Sequence, residues 1–122
     1  MTFGRFSTLL GAVSVLGIGG SALRWPQKST RTYGIPNDDA DTHAYVRATA
    51  ARDLVMGGFV LWAVVANDRP AMKAGLLVCA LAPLADFCLA YERRGVIPQL
   101  GIHGAGVIGV LAAWAILNAE PA

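Results

Sequence analysis

The chain has 122 residues, 55% hydrophobic and 15% charged, with a formal net charge of +2 at pH 7 and a mean hydropathy of +0.50. A soluble domain carries about 25% charged residues, so this surplus of apolar side chains has no soluble core to fill and indicates a membrane protein. The small net charge, with no basic run interleaved by aromatics, excludes nucleic acid as a partner.

Four apolar stretches of 17 to 19 residues follow one another, near the roughly 20 needed to cross a bilayer core. The first, about 6–23, contains no acidic residue. Arg5 ahead of it and Ser21-Ala22 near its end suggest a signal peptide, but the run is long for one and no Ala-x-Ala site follows, so it is expected to remain a span. Residues 24–48 form a polar connection holding Pro26, Tyr33-Gly34-Ile35-Pro36 and Asn37-Asp38-Asp39. The Tyr-Gly-Ile-Pro run is a turn signal, placed to fold this loop over whatever lies beneath it as a lid. His43 follows Asp38, Asp39 and Asp41 without regular ligand spacing. That run reads as a solvated loop whose Asp41 or Thr42 caps the next helix, and no metal site is expected.

The second stretch, about 49–66, carries Arg52 and Asp53. Thr49, Asp53, Gly57 and Val60 share one helical stripe, while Arg52 stands about 100° away with Ala48, Met56 and Phe59. Asp53 is therefore expected to face the bundle interior, with Arg52 reaching sideways to Asp86 or up to the headgroups. Residues 67–73 predict a tight helical hairpin. The third stretch, about 74–90, places Asp86 on a stripe with Cys79, Ala82, Pro83 and Leu89. Pro83 removes the donor to the carbonyl of Cys79, a break that in membranes often lines a polar cavity. Cys79 and Cys88 are nine residues apart, about 13 Å along a helix and beyond disulfide reach. With no Cys-x-x-Cys pair, thiol redox chemistry is disfavoured.

Beyond residues 91–100 the last stretch, about 101–119, opens with His103. Gly101, Ala105, Gly109 and Ala113 recur at every fourth position, a row of small residues that lets another backbone approach. Packing inside the bundle is the favoured role; the alternative is a homo-oligomer joined through Gly101, Ala105 and Gly109. Irregular backbone must stay out of lipid, so the stretches become helices and the chain is predicted to be all-α: one domain over residues 1–122, a four-helix transmembrane bundle, up-and-down. Six cations (Arg24, Lys28, Arg31, Arg47, Arg93, Arg94) lie on the side of the first and third loops against three (Arg5, Arg69, Lys73) on the other. The positive-inside rule then puts both termini on the non-cytoplasmic side.

Ionisable groups inside a span cost several kcal/mol and are by default functional candidates. Helical rise puts Asp53 about 7 Å, Asp86 about 6 Å and His103 about 4 Å below the same membrane face. Asp53, Asp86 and His103 are the candidate catalytic residues, one carboxylate acting as general acid or base with His103 as its partner. Arg52, Thr49 and Tyr33 are candidate binding residues, Arg52 as an anion or carbonyl stabiliser; no cofactor and no metal are expected. One reading is a site for a small lipophilic quinone-, terpene- or polyketide-like molecule arriving from surrounding membrane lipids. A second is a proton-coupled small transporter subunit, disfavoured because the first span carries no acid and transporter sites lie near the midplane. A third is an Arg–Asp clamp joining helices, with His103 in a surface turn.

The order Tyr33-Gly34-Ile35-Pro36, then Arg52-Asp53-Leu54 with Gly57-Gly58, then Asp86, then His103-Gly104 resembles the small four-helix membrane proteins of domain-of-unknown-function family 4267. That group is similar in size and layout to DoxX-like membrane proteins. The resemblance spans about residues 6–118; it implies a fold and a membrane location, and no established activity.

Overall fold

A computed structural model describes residues 1–34 and 37–121. Its helices in chain order are α1 (Phe3–Arg24), α2 (Pro26–Thr32), α3 (Ala40–Val65), α4 (Arg69–Arg94) and α5 (Leu100–Ala119). The four long ones are long and apolar enough to cross a membrane. The short α2, absent from the sequence expectation, opens on Pro26, whose missing N–H is no loss in a first helical turn.

The helix ends differ from the hydropathy boundaries for a physical reason. α3 begins at Ala40 and α4 spans Arg69–Arg94, against expected limits of about 49 and 74–90. Hydropathy locates only the part of a helix in hydrocarbon; its polar turns in the headgroup region are set by caps. The α3 cap is Asp39, whose Oδ1 accepts the Thr42 N–H at 2.7 Å, rather than Asp41 or Thr42. Those backbone donors, Thr42 first, hold the Asp39 carboxyl below the usual carboxylate range. Asp68 Oδ1 caps α4 through the Ala71 N–H at 2.9 Å. The expected 67–73 hairpin shrinks to Ala66–Asp68, where Asn67 takes the left-handed φ of 56°. α3 and α4 have 26 residues each, about 39 Å against the roughly 30 Å of hydrocarbon.

The outside of the bundle is apolar. Val55 and Val65 are 73% exposed and Ile108 70%, a surface suited to lipid and not to water. The chain is thus a multi-pass membrane protein. Its long helices form a ring in which α1 packs on α3, α3 on α4, α4 on α5 and α5 back on α1. The α1–α3 seam is the most extensive. It depends on Gly57, where a Cβ would lie 2.9 Å from Leu16 Cγ and 3.2 Å from the Ala12 carbonyl oxygen.

The α5 row does not pack inside the bundle as expected. Gly101, Ala105 and Gly109 are exposed and only Ala113 is buried. Four residues advance a helix by about 40° beyond a full turn, so Ala113 sits about 120° around from Gly101. The inward stripe is instead His103, Gly106, Val110, Ala113 and Leu117, in which a Cβ on Gly106 would meet Pro83 at 3.3 Å.

The core is uneven. Ala63, Val64, Met72, Leu76, Ala113 and Leu117 form a buried cluster where α3 ends, α4 begins and α5 ends. Arg5 Nη2 donates to the Val64 carbonyl at 2.8 Å and Arg69 Nη2 to that of Leu117 at 2.6 Å, and Arg69 also reaches the Glu120 and Pro121 carbonyls. These cations satisfy the unpaired carbonyls of helix C-termini. The open depression of about 780 Å³ that Arg5, Arg69 and Lys73 help line is accordingly part of how the helices end. At the opposite end of the bundle the packing is incomplete.

Candidate functional site

That opposite end holds a cavity of about 170 Å³, walled by all four long helices. Val15 and Ile18 come from α1, Arg52 and Asp53 from α3, Cys79, Ala82, Pro83 and Asp86 from α4, and Ile102, His103, Gly106 and Val110 from α5. Small residues create the space: Ala82 and Gly106 present almost nothing where a Leu would fill it. Ionisable groups collect toward the end of α4 and the start of α5, leaving the deep part apolar. Tyr33, the C-terminal cap of α2, covers this polar end. A cleft of about 30 Å³ adjoins it, lined by Tyr33, Tyr45, Thr49, Asp86, Leu89 and His103 among others.

Arg52 is the connecting group. Its side chain curls back so that Nε and Nη2 donate to Asp53 Oδ1 at 3.1 and 2.9 Å, and Nη2 lies 3.5 Å from Asp86 Oδ2. Adjacent helical residues point about 100° apart, so a guanidinium on a long flexible stem is what allows Arg52 to serve its neighbour and α4 together. The Asp53 side chain is 13% exposed and that of Asp86 26%. Arg52 thus takes the sideways reach to Asp86, and not the headgroup position.

His103 lies in the wall across from these groups. It is 6% exposed, which corrects the surface-turn placement. Its Nε2 is 3.4 Å from the Tyr33 carbonyl oxygen, a long bond in which Nε2–H is the donor. The two rings lie 6.1 Å apart at 42°. Among the described residues no carboxylate comes within 4.0 Å of His103. The arrangement therefore brings Arg52, Asp53 and Asp86 together and pairs His103 with Tyr33. Thr49 lines the adjoining cleft with Tyr33, Asp86 and His103 and bonds to none of them, its Oγ1 donating to the Tyr45 carbonyl of its own helix at 3.1 Å.

Of the Tyr33-Gly34-Ile35-Pro36 run, Ile35 and Pro36 lie outside the described residues. Gly34, at φ 80°, packs its backbone on Ile97, and its carbonyl accepts from Arg94 Nη1 at 3.1 Å. The first loop is thus tied twice, to the end of α4 through Arg94 and Gly34 and to the start of α5 through His103 and Tyr33. Burial first, then the negative charges of Asp53 and Asp86, push the Tyr33 phenol up to about 12. Its hydroxyl is buried without a hydrogen-bond partner among the described residues. Among those residues no three His, Cys, Asp or Glu side chains converge as metal ligands.

The lining residues of α1, Val15 and Ile18, carry no chemical signal in sequence and were not foreseen. In sequence the hint of a hollow was Pro83, whose break in α4 was expected to line a polar cavity; Gly106, which packs against it, was not foreseen. A family model, described as a domain of unknown function (DUF4267), matches residues 12–117. No curated protein and no solved structure matches the chain.

Proposed function

We propose that this chain, which belongs to the DUF4267 family, binds a small lipophilic molecule in the cavity among α1, α3, α4 and α5. The observation that carries this reading is the cavity's polarity: an apolar body of about 170 Å³ with Arg52, Asp53, Asp86, Tyr33 and His103 gathered at one end. Pockets that bind small molecules are mostly apolar with a few convergent polar groups. Here Asp86 faces the bound molecule, Arg52 and Asp53 hold each other in place, and His103 stations Tyr33. Any acid–base chemistry would fall to Asp86 with Asp53, since His103 is engaged by the Tyr33 carbonyl. The cavity also reaches lipid, because Ile18 and Ile102 line it and are 50% and 53% exposed.

Native mass spectrometry of detergent-purified protein, with identification of retained molecules, tests this. Wild type should retain a defined small molecule that Asp53→Asn and His103→Ala lose; bare protein in every sample would sink the reading. A second reading draws support from the 3.5 Å approach of Arg52 to Asp86, which makes the trio a clamp between α3 and α4. Under that reading Asp86→Asn unfolds more easily and no ligand is lost, because the ion pair that ties Arg52 of α3 to α4 is gone while Arg52 stays paired with Asp53 on its own helix.

Both termini are proposed to be non-cytoplasmic. The support is the excess of Arg and Lys around α2, the start of α3 and the end of α4.

A further inference from the structure

We infer that the molecule the cavity takes is a lipophilic amine or other organic cation, with its positive head on Asp86 and its apolar body among Val15, Ile18, Pro83 and Val110. This deepens the binding reading above and rests on it. Charge balance is the first support. Two carboxylates, Asp53 and Asp86, face one guanidinium, so the group carries a formal excess of one negative charge. Arg52 is committed to Asp53 by two donors at 3.1 and 2.9 Å and touches Asp86 only at 3.5 Å. Asp86 Oδ1 has no hydrogen-bond partner among the described residues.

Among the described residues no other cation pairs with either carboxylate. His103 stands off both carboxylates and donates to the Tyr33 carbonyl, and Arg94 is drawn to the Gly34 carbonyl. A carboxylate in a membrane interior without a full counter-charge costs several kcal/mol, and a bound ammonium would offset that cost. Geometry gives the second support. Asp86, Tyr33 and His103 line both the cavity and the adjoining cleft, so a head at Asp86 sits at their junction. Aromatic faces beside a carboxylate are the usual chemistry of ammonium recognition. A carboxylate or phosphate head would meet Asp86 and the cluster's excess negative charge, a like-charge pairing that opposes binding.

The test uses one alkyl chain with three heads: octylamine, octanol and octanoate, each added to the full-length protein in mild detergent and read by native mass spectrometry. Wild type is expected to retain octylamine about tenfold more than octanol, and octanoate least. Asp86→Asn is expected to bring octylamine down to the level of octanol, while Asp86→Glu keeps the preference and guards against a folding defect. Val110→Trp, which fills the deep end, should abolish retention of all three. The inference is overturned if octanol or octanoate is retained as well as the amine, or if the preference survives Asp86→Asn. Octanol retained without an amine preference leaves a binding cavity whose charge is balanced by a proton, which overturns the cation and keeps the pocket. Retention of none of the three by wild type overturns both.

Discussion

Tyr33 occupies the position where the α2 connection meets the membrane-embedded charges, and its titration gives a residue-scale prediction. Its phenol is raised from 10.0 to about 12, so the neutral form is favoured in the fold relative to the unfolded chain. That contribution is complete below pH 10 and is lost as pH rises from 10 through about 12. The unfolding midpoint of wild type in detergent should therefore fall more steeply across this window than that of Tyr33→Phe, with equal slopes contradicting the environment described. Sequence made some of this neighbourhood readable: Arg52, Asp53, Asp86 and His103 are ionisable in apolar segments, and helical rise places them at one depth. Which of them touch was not readable. Contact depends on helix rotation and on how a flexible guanidinium folds back, and neither leaves a trace in residue spacing. The burial of His103 is likewise set by an element distant in sequence, the α2 connection whose Tyr33 lies against it, and not by its own neighbours in the chain.

The α1–α3 seam places a stronger constraint on sequence than the helices themselves. Gly57 and Gly58 are adjacent, yet a Cβ at Gly57 collides with Leu16 and the Ala12 carbonyl while Gly58 has open space. At Gly58 an alanine gains helix propensity, up to about 1 kcal/mol. At Gly57 the same gain is outweighed by overpacking, typically about 1–3 kcal/mol. Gly57→Ala should thus lower stability to denaturing detergent and Gly58→Ala should leave it equal or higher, a contrast that equal responses would contradict. The existence and order of the four long helices were legible from hydropathy, since lipid permits little else. The added turns of α3 and the short α2 were not, because outside hydrocarbon their formation depends on Asp39, Pro26 and local capping. The row Gly101-Ala105-Gly109-Ala113 misled for a geometric reason: a four-residue repeat drifts around the helix, and the buried stripe follows spacings of three and four.

Across the whole molecule the two ends differ in kind: a packed cluster braced by Arg5 and Arg69 at one, a hollow ringed by charge at the other. If the positive-inside rule holds, the hollow end faces the cytoplasm. On a background of Cys79→Ala and Cys88→Ala, a membrane-impermeant maleimide applied to intact cells should label Thr2→Cys and spare Gln27→Cys; the reverse pattern would invert the topology. The half-exposed Ile18 and Ile102 at the cavity wall carry a consequence for how affinity is read. A molecule that enters sideways is drawn from the bilayer and not from bulk water, so its working concentration is set by partitioning. A partition coefficient of about 10³ is equivalent to about 4 kcal/mol, and this is supplied by the lipid before the protein makes any contact. A cavity of this size, with modest intrinsic affinity, can therefore stay occupied at bulk concentrations about a thousandfold below its own dissociation constant. Its selectivity then depends as much on which molecules dissolve in that membrane as on Asp86.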